Sequence, residues 1–114
     1  MPYTTTGKNT MLDALGVTHV SAHTAAPGET GLNEVSGGSY ARQSITFTAA
    51  AAAAKDSSNT PAVPIPAATT VTHIGYWDAL TVGNFLGFDD ITDETFGAAG
   101  TLTLSDVDLT LTDV

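Results

Sequence analysis

An antiparallel β-sandwich or jelly-roll-like barrel of about six to eight short strands, carrying one short N-terminal helix, is the fold class this sequence predicts. Three observations predict it. Stretches of two-residue alternation recur along the chain, clusters of Gly, Pro, Asn and Ser separate them, and the one segment with convincing helical spacing lies near the start. With 114 residues, the chain has enough length for a single core but not for two. The expected organisation is one β-domain over 1–114, with an N-terminal arm and short helix in 1–16 and the sandwich in 17–114.

Residues 4–16 read as a helix of about two turns, because Met11, Leu12 and Leu15 share helical spacing, Asn9 or Thr10 can cap it and Gly16 can end it. Residues 17–24 then alternate, with Val17, His19, Ser21 and His23 on one face and Thr18, Val20, Ala22 and Thr24 on the other. This is a strand whose Val20 and Ala22 face is expected to be buried. Next comes a turn-dense loop over 25–39. Gly28, Gly31, Gly37 and Gly38 accept positive φ, Pro27 fixes its own φ, and Asn33 and Ser36 can bond their own backbone, so an ordered, contact-making loop is expected.

Alternation resumes over 40–48 as a second strand. The alanine run over 49–54 has high helix propensity but is too short to nucleate alone and follows a β-pattern, so a wide turn or loop is expected there. Residues 61–66 contain three prolines and suit an edge strand or extended stretch. Residues 69–78 form the strongest strand, with Val71, His73, Gly75 and Trp77 opposite Thr72, Ile74 and Tyr76. Apolar weight on both faces predicts a central position. A turn over 80–84, a strand over 85–88, an acidic connection over 89–94 and one interrupted strand or a pair over 101–112 complete the reading.

Composition narrows the function. Hydrophobic residues make up 42% and charged residues 13%, which fits a packed domain with a hydroxyl-rich surface. The cations are Lys8, Arg42 and Lys55, and the net charge of -9 argues against nucleic acid and anionic lipid as partners. No charged start followed by an apolar stretch marks a signal peptide, and no run approaches a membrane span, so a soluble product is expected. Cysteine is absent, which removes disulfides and thiolate metal sites.

No cofactor, metal or catalytic residue is predicted. His19 and His23 share a strand face, but strand residues four apart lie about 13 Å from each other, too far to share an ion. Packing at a sheet face or subunit interface suits these histidines and His73 better. Asp89, Asp90, Asp93 and Glu94 lack EF-hand spacing, and Asp106 and Asp108 are expected to repel across one strand face. No nucleophile elbow or phosphate-binding loop occurs. Tyr76 and Trp77 offer a possible glycan-stacking pair, with core packing the favoured alternative.

The strings Met11-Leu-Asp-Ala-Leu-Gly-Val-Thr-His-Val-Ser-Ala-His-Thr24, Pro27-Gly-Glu-Thr-Gly31, Asn33-Glu-Val-Ser-Gly-Gly-Ser-Tyr-Ala-Arg-Gln43, Val71-Thr-His-Ile-Gly-Tyr-Trp-Asp78 and Thr95-Phe-Gly-Ala-Ala-Gly-Thr101 resemble a family of small tailed-bacteriophage virion proteins. Members are labelled tail-fibre-like or minor tail proteins, typically in actinobacteriophages, and the resemblance extends from about residue 9 to 111. It implies a non-enzymatic virion structural protein, assembled in the host cytoplasm, that binds phage capsid or tail proteins as a symmetric homo-oligomer such as a trimer. The compact acidic chain favours capsid decoration on the major capsid lattice, as a cement or minor capsid protein. The alternative is a minor tail or tail-fibre-like protein, with host-carbohydrate recognition through Tyr40, Tyr76 or Trp77. Glu34, Tyr40, Arg42 and Gln43 are the expected protein-interface residues, because aromatic and arginine side chains dominate interface hot spots.

Overall fold

A computed structural model describes residues 3–111, within which the chain runs α1 (Thr5–Ala14), β1 (His19–His23), β2 (Gln43–Ser44), β3 (Ala54–Asp56), β4 (Ala62–Ile65), β5 (Thr69–Trp77), β6 (Phe85–Phe96), β7 (Gly100–Thr103) and β8 (Asp108–Thr110). The mainly β class with one short helix is as expected. The first two residues of the expected N-terminal arm and Thr112 of the last expected strand lie outside the described residues.

The helix begins earlier than Asn9 or Thr10 would place it. Thr4 is its cap, the Oγ1 accepting from the Gly7 N–H at 3.0 Å and satisfying one of the donors a helix start leaves free. Asn9 and Asp13 are thereby released for tertiary work. Asn9 Oδ1 accepts from Ala53 N and Asp13 Oδ1 from Ala50 N, both at 2.9 Å, and Lys55 Nζ lies 3.4 Å from Asp13. The helix is thus bonded onto the alanine run. That run forms no helix, as expected, but its turn is tight rather than wide: Ala51 and Ala54 exchange two 2.9 Å backbone bonds around Ala52 and Ala53, both at positive φ, the hairpin geometry that follows strand twist.

Four strands form the main sheet in the order β2-β1-β5-β6, while β3-β8 and β4-β7 make two antiparallel pairs. As its apolar weight on both faces predicts, β5 is central. One face of the main sheet supplies Val20 and Ala22 of β1 with Ile74 and Tyr76 of β5. These pack in a single cluster with Val63 and Ile65 of β4, Leu102 of β7 and Leu109 of β8, giving a sandwich-like arrangement. Each such aliphatic side chain contributes about 1.5–3 kcal/mol by leaving water. No helix among the described residues is long and apolar enough to cross a membrane.

Two strand expectations need correction, and one open choice is decided. The strand expected over 40–48 shrinks to Gln43–Ser44, because the chain beyond it turns away to pair elsewhere: Thr46 N bonds Asn59 Oδ1 at 2.9 Å, Thr48 N bonds Asp56 O at 2.9 Å and Phe47 bridges Ser57. The acidic stretch over 89–94 is not a connection but the interior of β6. It pairs with β5 across two register shifts; Asp90, Asp93 and Glu94 stay exposed to water, and Asp89 accepts from the Tyr76 hydroxyl. At the C-terminus the pair of strands forms rather than one interrupted strand, each with its own partner, and the strand face expected to carry both Asp106 and Asp108 is not made, because Asp106 precedes β8.

Asp108 faces Asp56 across the β3–β8 register. A hydrogen bond shared with the Asp56 carboxyl, partial loss of water and the charge of Asp106 together push Asp108 up to about 6. A carboxyl raised on folding binds its proton more tightly in the native state, so stability falls as pH rises from the unfolded value near 4 through about 6. Asp108→Asn is therefore expected to raise the melting temperature at pH 7.5 and leave it unchanged at pH 3. Equal effects at both pH values in thermal denaturation would contradict this origin.

Candidate functional site

The second face of the main sheet carries the residues that sequence periodicity placed opposite the core. Register aligns His19 with Trp77, Ser21 with Gly75 and His23 with His73, and then Gly75 with Phe88 and Trp77 with Phe85. Ser21 and His23 are fully buried, so β1 is covered on both sides rather than on its Val20 and Ala22 side alone. A chain of polar bonds makes this possible. The Trp77 indole N–H donates to Ser21 Oγ at 2.8 Å, Ser21 Oγ lies 2.7 Å from His23 Nε2, and His23 Nδ1 lies 2.7 Å from the Leu32 carbonyl.

The directions of these bonds are consistent with a single tautomer. Because Trp77 occupies Ser21 as an acceptor, the serine hydroxyl is free to donate to Nε2, which leaves the histidine proton on Nδ1 facing Leu32. Burial lowers the His23 pKa, with the Leu32 carbonyl and the Glu34 charge opposing it only in part. His23 is thus a neutral spacer between sheet and loop. Among the described residues no group of three or more His, Asp or Glu is arranged to hold a metal ion.

The glycine loop lies over this face. A Cβ on Gly31, whose φ is +78, would stand 2.6 Å from the Trp77 ring. Only glycine lets the loop settle on the indole. The loop also completes the outer edge of β1, where Val35 N bonds Ala22 O at 2.9 Å and Thr24 N bonds Asn33 O at 3.0 Å. Between that contact and β2, the Ala22 N–H would lack a partner; the Tyr40 hydroxyl accepts it at 3.1 Å and donates onward to Glu34 Oε2 at 2.7 Å.

Arg42 closes the arrangement. Its Nε and Nη2 bond the two oxygens of Glu34, each at 3.0 Å, in the bidentate geometry that guanidinium favours. Nη1 reaches the carbonyls of Ala79 at 3.2 Å and Val82 at 2.8 Å, in the connection between β5 and β6. The guanidinium carbon sits 3.5 Å from the centre of the Trp77 ring, a cation–π contact. Burial pushes the Glu34 carboxyl up, but the bonds from Arg42 and Tyr40 and the guanidinium charge outweigh it and hold the group below the ordinary carboxylate range. Burial and Glu34 raise the Tyr40 phenol, against the Ala22 N–H, so it stays a donor.

These residues floor an open groove of about 420 Å³ whose wall includes Leu80, Thr81 and Val82. Leu80 is 53% exposed and Val82 is 83% exposed, and Val82 holds φ at +58, a conformation β-branched residues rarely adopt. Of the expected interface residues, Glu34, Tyr40 and Arg42 meet in one network, with the Arg42 side chain only 9% exposed. Gln43 stands apart in β2 and donates to the Ala41 carbonyl at 3.1 Å. Tyr76 and Trp77, the possible glycan pair, are buried at 4% and 7% exposure, so neither ring offers a face to a sugar. Leu80 and Val82 were not anticipated from sequence, since an apolar turn carries no periodic signal.

Gly75 is the position on which the polar chain depends, because a Cβ there would fall 2.5 Å from Ser21 Oγ, 2.7 Å from His23 Nε2 and 2.9 Å from the Phe85 ring. Gly75→Ala is expected to cost about 3 kcal/mol by overpacking. Gly97→Ala, where a Cβ meets nothing within 4 Å, should cost under about 0.5 kcal/mol. Urea denaturation of the two variants decides this, and equal losses would show that the face tolerates a methyl group.

No curated protein matches the chain. A family profile does, over residues 4–112, and its description is podophage GP4 fiber I protein gp80. The match includes the glycine loop, the groove and every strand. The chain belongs to the podophage GP4 fiber I protein gp80 family.

Proposed function

We propose that this protein is a structural component of a phage tail fibre and attaches to another virion protein through the groove beside Arg42. The observation that carries the reading is the family match over residues 4–112. It favours the tail-fibre alternative drawn from sequence, whereas capsid decoration, the leading expectation, has no specific support in it. A single β-domain joining a symmetric homo-oligomer, such as a trimer, is the form in which such a component is expected to act.

The groove supplies the physical argument for where attachment occurs. Val82 combines high exposure with strained backbone, a state that costs on the order of 1–3 kcal/mol and persists where surrounding structure enforces it. Arg42 enforces it by holding the Val82 carbonyl. Glu34, Tyr40 and Arg42 shape and stiffen the floor, while Leu80 and Val82 supply the apolar contact. Ordering the groove in advance lowers the entropic cost of binding.

Two measurements test the reading. Gold-labelled antibody against this protein should decorate the tail fibres of intact virions, and label confined to the head would instead support capsid decoration. Val82→Gly should stabilise the isolated protein by about 1 kcal/mol through relief of the left-handed conformation, yet lower its incorporation into virions by about tenfold through loss of an interface anchor. Unchanged incorporation would remove the groove as the attachment site.

A further inference from the structure

We infer that the outer edge of β6 is a docking strand for an extended, lysine- or arginine-bearing segment of another protein. This inference stands apart from the fibre reading, since it concerns the opposite margin of the main sheet from β2 and does not use the groove. Among the described residues β6 bonds to β5 alone, so one side of a 12-residue strand presents backbone donors and acceptors with no strand partner. The other sheet margins are much shorter, the longest being the four residues each of β4 and β7. β2 is two residues long, β3 and β8 are three residues each, and β4 carries Pro64.

Long open edges attract a further strand, and proteins protect them with charge. The charge here has one sign only. Asp89, Asp90, Asp93 and Glu94 lie along the strand without an intervening cation; Asp89 accepts from the Tyr76 hydroxyl, while the Asp90 side chain is 79% exposed, with His73 Nε2 3.8 Å away. A second copy pairing through the same edge would set carboxylates beside carboxylates, which is unfavourable. A basic strand would meet complementary charge at Asp90 and, further along, at Asp93 and Glu94 while its backbone completes the ladder, the mode in which main-chain bonds supply affinity and side chains supply choice.

The register shifts in β6 limit where such a strand can lie. Pairing with β5 is regular from Gly87 to Asp90, opposite Tyr76 to His73, and breaks on both sides of that stretch. The docking register is therefore centred on residues 87–90. Phe88, 43% exposed and 5.9 Å from the His73 ring between centroids, offers an apolar contact for the partner at the same level.

The test uses the full-length protein and synthetic eight-residue peptides that alternate lysine with valine. Such a peptide should bind by calorimetry, more weakly as salt is added, and should protect β6 amides around residues 87–90 from hydrogen exchange. N-methylation of the peptide amides that face β6, which deletes backbone bonds to the strand and leaves every charge in place, should weaken binding at least about tenfold, whereas N-methylation of the intervening, outward-facing amides should not. The combined variant Asp90→Lys, Asp93→Lys, Glu94→Lys changes only exposed side chains and should transfer preference to a glutamate–valine peptide. Absence of binding, unchanged affinity after N-methylation, protection outside β6, or a homodimer protected at β6 would each overturn the inference.

Discussion

One guanidinium joins three pieces of backbone that have no strand ladder between them. Arg42 binds Glu34 from the glycine loop, the carbonyls of Ala79 and Val82 from the β5–β6 connection, and the ring of Trp77 from the central strand. With Arg42 placed, Glu34 stays ionised and holds Tyr40, and Tyr40 in turn accepts the Ala22 N–H that β2 is too short to reach. The second face of the sheet is therefore closed by hydrogen bonds around one charge together with the packing of Phe85 against Trp77 and His23. That suits a chain with so few cations, because the one buried deepest must find a carboxylate to be tolerated there.

This dependence explains how a glycine-rich loop becomes a rigid surface. Loops gain mobility when their backbone bonds go to water, whereas this one has its bonds absorbed by β1, Tyr40 and Arg42. The aromatic residues that sequence alone offered to a sugar are spent on the same closure. Trp77 gives its ring to Arg42 and Gly31 and its N–H to Ser21. Beside the groove Leu80 and Val82 remain outward, apolar side chains that fit contact with protein.

Much of this was legible in the sequence. Two-residue alternation identified β1 and β5, with the faces of β5 as expected from His73 to Trp77 but not at Val71, which joins the core cluster beyond a register shift; the prolines marked β4 as an edge, and the alanine run was too short to form a helix. Other features depend on tertiary partners that local pattern does not encode. The strand expected over 40–48 ends after two paired residues because Asn59 and Asp56 compete for the following amides. The acidic segment joined β6 because an edge leaves its carboxylates hydrated, so charge that suggested a loop was compatible with a strand. Gly75 was the missed signal: a glycine inside an otherwise strong strand marks a close approach, here by Ser21 and His23.

The claim on which all of this rests is that the Glu34–Arg42 pair couples the loop to the sheet. A double-mutant cycle of Glu34→Ala and Arg42→Ala, read by urea denaturation, measures that coupling directly. A coupling energy of about 2 kcal/mol or more is predicted for a bidentate, largely buried pair. A value within about 0.5 kcal/mol of zero would show that the two side chains act independently and that something else holds the loop in place.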